Sequence, residues 1–240
     1  MPKNIYVFLA EGFEETEAVA TIDLLRRAGL PTHIVTIGDE PHVTGAHGIA
    51  IQADLSIREV YSADVRALVL PGGLPGVTNL DASPRLHELI QDAVTDGKLL
   101  AAICAAPSIY GRLGLLEGKE ATAYPGFEGQ LKGAKATESP VVRSGNFITA
   151  KSAAYTFDFA LAVIEAPARQ NKSAAPPWGV CPRGGLLIYG AEGAPRDLLL
   201  PVDVSLSLHS PLIIVDEEAI YLRTPIAVED GLHLVQGMSK

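Results

Sequence analysis

The sequence predicts a doubly wound α/β domain on a mostly parallel sheet, followed by a β-rich C-terminal extension. Three observations carry this reading. Short, almost wholly apolar runs recur at residues 5–10, 67–70 and 99–103, the composition of strands buried on both faces. Segments with apolar residues at helical spacing lie between such runs. After about residue 166 the character changes to a Pro-, Ala- and Gly-rich stretch and then to strict apolar–polar alternation.

In order, residues 5–10 form the first strand, and Glu11-Gly12 breaks it. Residues 14–28 carry Val19, Ile22 and Leu25 on one helical face. Glu14, Glu15 and Glu17 in its first turns and Arg26-Arg27 in its last complement the helix dipole, and Gly29 stops it. Residues 32–37 are the next strand, so the opening reads as a βαβ unit with a right-handed crossover. Residues 43–51, with Gly45 and Gly48, make a short hairpin excursion. Residues 67–70 are a buried strand ending in Pro71-Gly72-Gly73. Ser83 and Pro84 start a helix as N-cap and first-turn proline; it runs to about Thr95 and ends at Gly97. Residues 99–103 are the most apolar strand, Cys104 follows at once, and residues 105–113 form a short helix. Tyr124-Pro125-Gly126 has the residue order of a type II turn. Residues 141–143 and 147–149 flank Ser144-Gly145-Asn146 as a hairpin, and residues 154–165 close the domain as an amphipathic helix.

Residues 1–166 therefore read as one domain and residues 167–185, with Pro176-Pro177-Trp178-Gly179, as a linker. Residues 186–240 read as a small β-rich extension. Within it Val202, Val204, Leu206 and Leu208 alternate with polar residues, and residues 212–215 and 219–222 pair as a hairpin across Asp216-Glu217-Glu218.

Composition narrows the function. The 240 residues are 48% hydrophobic, ample for a core, with a formal net charge of −9. An acidic surface repels phosphate backbones, so nucleic acid is not an expected partner. No apolar run approaches the roughly 18 residues of a membrane span, and the start lacks the features of a secretory signal, so a cytoplasmic location is expected. Two cysteines, Cys104 and Cys181, are too few for a disulfide framework. The six histidines show no metal-ligand spacing, and no phosphate-binding glycine loop or Gly-x-Ser-x-Gly elbow is present. No metal or organic cofactor is expected.

In a parallel α/β sheet ligands sit at the carboxyl ends of the strands. Residues 11–17, Pro71-Gly72-Gly73 and Cys104-Ala105-Ala106 all follow strands in this way and surround one crevice if the sheet is ordered as expected. A free thiol titrates near about 8.5, and a strand-to-helix elbow lowers that value through the helix amides. Ala101, Ala102, Ala105 and Ala106 are small enough to permit such an elbow. Spacing alone leaves Cys104 either a reactive thiol or one more buried apolar residue. Gly72 and Gly73 either aim amides at an oxyanion or make an ordinary turn. Glu17 is either a partly buried acid, protonated and able to shuttle protons, or a solvated helix-start glutamate; Glu14 and Glu15 read as solvated.

Four ordered motifs resemble the DJ-1/ThiJ/PfpI superfamily over residues 4–165. They are Glu11-Gly12-Phe13-Glu14-Glu15-Thr16-Glu17, Leu70-Pro71-Gly72-Gly73, Ala101-Ala102-Ile103-Cys104-Ala105-Ala106-Pro107 and Phe157-Asp158-Phe159-Ala160-Leu161-Ala162. The resemblance implies a flavodoxin-like three-layer sandwich of the class I glutamine amidotransferase-like kind and a homodimer. It implies Cys104 as nucleophile or oxidisable thiol, Glu17 as its protonated partner, and amides near Gly73 and Ala105 as the oxyanion or sulfinate pocket. Activities attributed to relatives are cofactor-free conversion of methylglyoxal to lactate, repair of early glycation adducts, redox-regulated chaperoning and, in one branch, proteolysis. The expected substrate is thus a small 2-oxoaldehyde or a glycated group, handled by the Cys104 thiolate and Glu17; the alternative is a redox sensor or stress chaperone. The protease-like branch has histidine directly after the cysteine, where Ala105 stands, so peptidase activity is the weaker expectation. Many members have histidine where Tyr124 stands, and tyrosine is a poor base at neutral pH. Lys151-Ser152-Ala153-Ala154 replaces a commoner Gly-Pro-Gly rim, and the ending after Glu165 departs from the family.

Overall fold

A computed structural model describes residues 3–170, 212–215 and 220–223. The chain divides into two compact units, Met1–Ala175 and Pro176–Lys240.

The first unit runs β1 (Asn4–Leu9), α1 (Glu15–Arg27), β2 (Thr32–Thr36), β3 (His42–Thr44), β4 (Ala50–Gln52), β5 (Leu55–Ser56), β6 (Val65–Leu70), α2 (Gly76–Asp81), α3 (Pro84–Thr95), β7 (Leu99–Ile103), α4 (Pro107–Arg112), β8 (Glu120–Ala121), β9 (Lys135–Ala136), β10 (Val141–Ser144), β11 (Phe147–Ala150) and α5 (Thr156–Gln170). Its sheet has seven strands in the order β10-β11-β7-β6-β1-β2-β5. Every pair in it is parallel except β10 with β11. The predicted flavodoxin-like α/β architecture is what forms. The strands are apolar throughout because helices cover both faces: Val7, Phe8, Leu68, Val69, Leu70, Ala101 and Ala102 are completely buried.

The chain leaves β1 outward through β2 to β5, then returns to the other side of β1 for β6, β7 and β11. That reversal lies between β1 and β6, where doubly wound sheets place ligands at the carboxyl ends of their strands. The segments after β1, β6 and β7 all meet there.

Helix ends follow local chemistry. The Glu14 carboxylate caps α1 by accepting from the Glu17 N–H at 2.6 Å, and Ser83 caps α3 by accepting from the Leu86 N–H at 3.3 Å. Gly29 and Gly97, at φ +66° and +63°, stop these two helices. The hairpin expected over 43–51 forms as β3 and β4. The short strands β5, β8 and β9 were not expected, and two helices also differ from expectation. α2 was not foreseen, because Leu74-Pro75-Gly76 reads as a breaker and the helix is a short one. The closing helix continues past the expected end at Glu165 to Gln170, on a run of good helix formers around Pro167.

In the second unit, β12 (Leu212–Val215) and β13 (Ile220–Arg223) pair antiparallel with Leu212 opposite Arg223 and Val215 opposite Ile220. This is the expected hairpin, with its second strand one residue later. The expected linker beyond residue 170, the alternating strand around 202–208 and Cys181 lie outside the described residues. Among the described residues no helix is long and apolar enough to cross a membrane.

Candidate active site: a buried glutamate against a thiol

Cys104 directly follows β7 and sits at φ +64°, the single non-glycine residue with positive φ among those described. A side chain in that region is strained by about 1–3 kcal/mol, which surrounding structure must hold in place. Here the Cys104 N–H donates to the Ala150 carbonyl at 2.9 Å, extending the β7–β11 ladder. The Cys104 carbonyl accepts from the Tyr124 N–H at 2.7 Å. The Ser108 hydroxyl, fully buried, donates to the Ala105 carbonyl at 2.6 Å and ties the far side of the turn. Ala101, Ala102, Ala105 and Ala106, all buried, leave room for the bend. The helix that follows is shorter than expected: α4 starts at Pro107, after a turn, rather than at Ala105.

Glu17 is 1% exposed and lies on the buried face of α1. Its Oε2 accepts from the Gly72 N–H at 2.7 Å, while Oε1 is buried with no hydrogen-bond partner. An ionised carboxylate is poorly served by one hydrogen bond in such a place. Burial, with the nearby Glu14 charge adding to it, pushes the Glu17 carboxyl up to about 7, against the lowering effect of the Gly72 amide.

The Cys104 side chain lies against this carboxyl. Burial, then the charge of an ionised Glu17, push the thiol up to about 12, while the Ala105 and Gly73 amides pull it down. The sequence reading expected a thiol held ionised by the turn amides and a protonated Glu17. The structure corrects this: the two amides do face the sulfur, but desolvation and the carboxylate outweigh them while Glu17 is ionised. Near neutral pH the thiol therefore keeps its proton while Glu17 passes between its charged and neutral forms, which makes the carboxylate the group placed to receive the thiol proton.

Gly72 is the wedge between the partners. A Cβ there would stand 2.6 Å from Cys104 Cβ, 2.7 Å from Glu17 Oε2 and 3.1 Å from Cys104 Sγ. Gly72→Ala is therefore expected to cost about 1–3 kcal/mol by overpacking and, by parting the two groups by a fraction of an ångström or more, about 10²-fold in any chemistry they share. Thermal melting and turnover of that variant check both. Gly73, at φ +91°, has no room for a Cβ either, which would fall 2.4 Å from the Glu14 N. The two glycines thus serve close approach and amide direction, beyond an ordinary turn.

Sequence reasoning misplaced Glu15. It is 6% exposed, and its carboxylate accepts from the His47 N–H at 2.6 Å and meets His47 Nδ1 at 3.0 Å. Desolvation opposes its charge, but the hydrogen bonds from the His47 side chain and backbone prevail and hold it below the ordinary carboxylate value. Together with the Gly12 N–H to Thr44 carbonyl and Ala46 N–H to Phe13 carbonyl bonds, each 2.8 Å, this clasps the β3–β4 hairpin onto the loop that leads into α1. Glu14, Glu15 and His47 bring potential metal-ligand atoms within 4.8 Å of one another, but both Glu15 oxygens already meet His47.

Of the expected site residues, Cys104, Glu17, Gly72, Gly73 and Ala105 converge. Tyr124 joins them through its backbone, with its side chain 45% exposed. A separate depression of about 310 Å³ lies beyond the end of β1, lined by Glu11, Thr36, Asp39, Glu40 and His42 among others. Its lining includes neither Cys104 nor Glu17.

The model of the DJ-1/PfpI family matches residues 3–166. The chain is 37% identical over 165 residues to Protein DJ-1 homolog B of Arabidopsis thaliana, covering 68% of this chain and 38% of that protein. With Protein DJ-1 homolog A of the same plant the covered share is 42% of the relative, so the chain spans about two-fifths of the length of these plant relatives. It is 34% identical over 174 residues to Protein dj-1beta of Drosophila melanogaster, covering 72% of this chain and 93% of the relative. Among solved structures, a cysteine-to-alanine mutant of a DJ-1 superfamily protein from Salmonella typhimurium aligns with TM-score 0.67 at 34% identity, over 72% of this chain and 93% of the other. An oxidised DJ-1 from Toxoplasma gondii aligns with TM-score 0.64 at 32% identity, over 72% and 100%.

Proposed function

Because this chain belongs to the DJ-1/PfpI family, we propose that it is a cofactor-independent enzyme acting on reactive carbonyls, with Cys104 as nucleophile and Glu17 as proton carrier. The observation that carries this reading is the buried Glu17 carboxyl packed beside Cys104 at Gly72, with two amides directed at the sulfur. The ionised Glu17 takes the proton of the Cys104 thiol as the carbonyl arrives, and the sulfur attacks as a thiolate.

The steps balance without an external oxidant. The Cys104 thiolate attacks the aldehyde carbon of a 2-oxoaldehyde, a C–S bond forms, and the carbonyl electrons go to oxygen. The Gly73 and Ala105 amides receive that oxyanion, which is then protonated from Glu17. Glu17, now ionised, takes the C–H proton of the resulting hemithioacetal and returns it to the adjacent carbon through an enediol-like state. A thioester of a 2-hydroxy acid results. Water cleaves it, releasing the acid and restoring the thiol. The net change adds one water, and the aldehyde carbon is oxidised as the ketone carbon is reduced. Early glycation adducts, which are hemithioacetals and hemiaminals of the same carbonyls, enter the same chemistry.

Homodimerisation in the cytoplasm fits the family. The exposed Val19 on α1 and Ile49 beside β4, 46% and 57% exposed, offer apolar surface for such an assembly.

A second reading has its own support. Cys104 is neither fully buried nor fully exposed, and its amide cradle also suits a sulfinate. Lactate formation from methylglyoxal by the purified chain, with intact mass after mild peroxide, separates the two. The enzyme reading expects steady lactate release. Gain of two oxygens at Cys104 with no lactate would replace it by redox sensing.

A further inference from the structure

We propose that Leu74 and Tyr124 form a two-sided apolar rim that selects 2-oxoaldehydes carrying a bulky apolar substituent over those carrying a methyl group. This rests on the carbonyl chemistry above and names its substrate class.

The described residues expose six large hydrophobic side chains: Val19, Ile49, Tyr61, Leu74, Tyr124 and Phe157. Two of these adjoin the loops that build the thiol's surroundings. Leu74, 55% exposed, directly follows Gly73, whose amide faces the sulfur. Tyr124, 45% exposed, is fastened by its own N–H to the Cys104 carbonyl at 2.7 Å. One residue therefore rides on the turn after β6 and the other on the turn laid over the end of β7.

The reacting carbon has limited freedom. It must reach Sγ while its oxygen turns toward the Gly73 and Ala105 amides. Gly72 and the buried Glu17 close the inner side, where no Cβ fits. The substituent on the ketone carbon then leaves outward, between the residue 74 turn and the residue 124 turn. A methyl group there is too short to cover either side chain. An isobutyl or phenyl group removes apolar surface of both from water, and an aryl ring adds edge or stacked contact with the tyrosine. Binding sites of this kind combine a few fixed polar groups with apolar walls, and here the amides supply the first and the rim the second. Discrimination between alkyl groups in such pockets is about 10–200-fold for a small size difference.

The test is a series of methylglyoxal, 4-methyl-2-oxopentanal and phenylglyoxal, with the hydroxy acid product quantified for the full chain. For the wild type, kcat/KM is expected to rise at least about ten-fold from methyl to phenyl. In the Leu74→Asn, Tyr124→His double variant the phenyl-to-methyl ratio is expected to fall below about three, with melting temperature checked to confirm folding. A flat wild-type series, or a ratio unchanged in the double variant, overturns the rim while leaving the carbonyl enzyme standing. Absence of turnover with all three substrates removes the carbonyl reading itself, and the rim with it.

Discussion

Cys104→Ser is expected to lower lactate formation from methylglyoxal by about 10³-fold or more, with little change in stability. Serine nearly matches cysteine in shape and occupies the φ +64° elbow at the same backbone cost, held by the same bonds to Ala150 and Tyr124. What changes is acidity. A hydroxyl gives up its proton far less readily than a thiol, and Glu17, raised only to about 7, is too weak a base to take it. The Gly73 and Ala105 amides remain, so binding of an oxyanion survives while the attacking atom does not. Losing the nucleophile of a covalent mechanism removes most of the rate even when the rest of the site is intact. The comparison is of initial rates by wild type and variant at matched folded fraction. Equal rates in both would end the role assigned to the sulfur.

The architecture and the elbow were legible in the chain because both are local. An unbroken apolar strand at residues 99–103, small residues on both sides of Cys104 and a proline in the first turn of the next helix are all written within ten positions. So are the two glycines after β6. Glu17 was set apart by the family resemblance, but the burial of Glu15 was not legible. All three look alike at a helix start. Their separate fates follow from different partners: the distant Gly72 receives Glu17, the distant His47 receives Glu15, and Glu14 turns back to cap its own helix. Gly45 was the one silent clue to Glu15, since a Cβ there would fall 2.4 Å from the Glu15 carboxyl carbon. A sequence shows a glycine in a hairpin and not what it makes room for. The thiol's acidity was misjudged for a related reason. The turn amides are local and were counted; the desolvation and the Glu17 charge come from tertiary packing.

Glu17→Gln is expected to have opposite effects on reactivity and on turnover, and a sign of its own on stability. Glutamine keeps an acceptor for the Gly72 N–H and fits the same buried volume, so the fold is retained. In the wild type the first proton leaves the pair near pH 7, and alkylation of Cys104 rises through that value to a plateau, because any thiolate then present coexists with a protonated Glu17. In the variant that step is displaced upward, to where the thiol ionises alone, yet below about 12 because no carboxylate repels it. Beyond its step the variant alkylates faster, since the sulfur no longer divides a proton with a neighbour. Turnover falls about 10²–10⁴-fold because nothing carries the proton between carbons. For stability, the folded carboxyl titrates near 7 against an ordinary value of 4.5, so between these the native state holds more protons than the unfolded chain. Wild-type stability therefore falls as pH rises from about 4.5 to 7, by up to about 3 kcal/mol, and Glu17→Gln flattens that stretch of the curve. Denaturant melts at pH 5 and pH 8, beside iodoacetamide rates across pH, read both effects. Unchanged pH profiles in the variant would mean that Glu17 and Cys104 titrate independently, and the proton-transfer mechanism would have no basis.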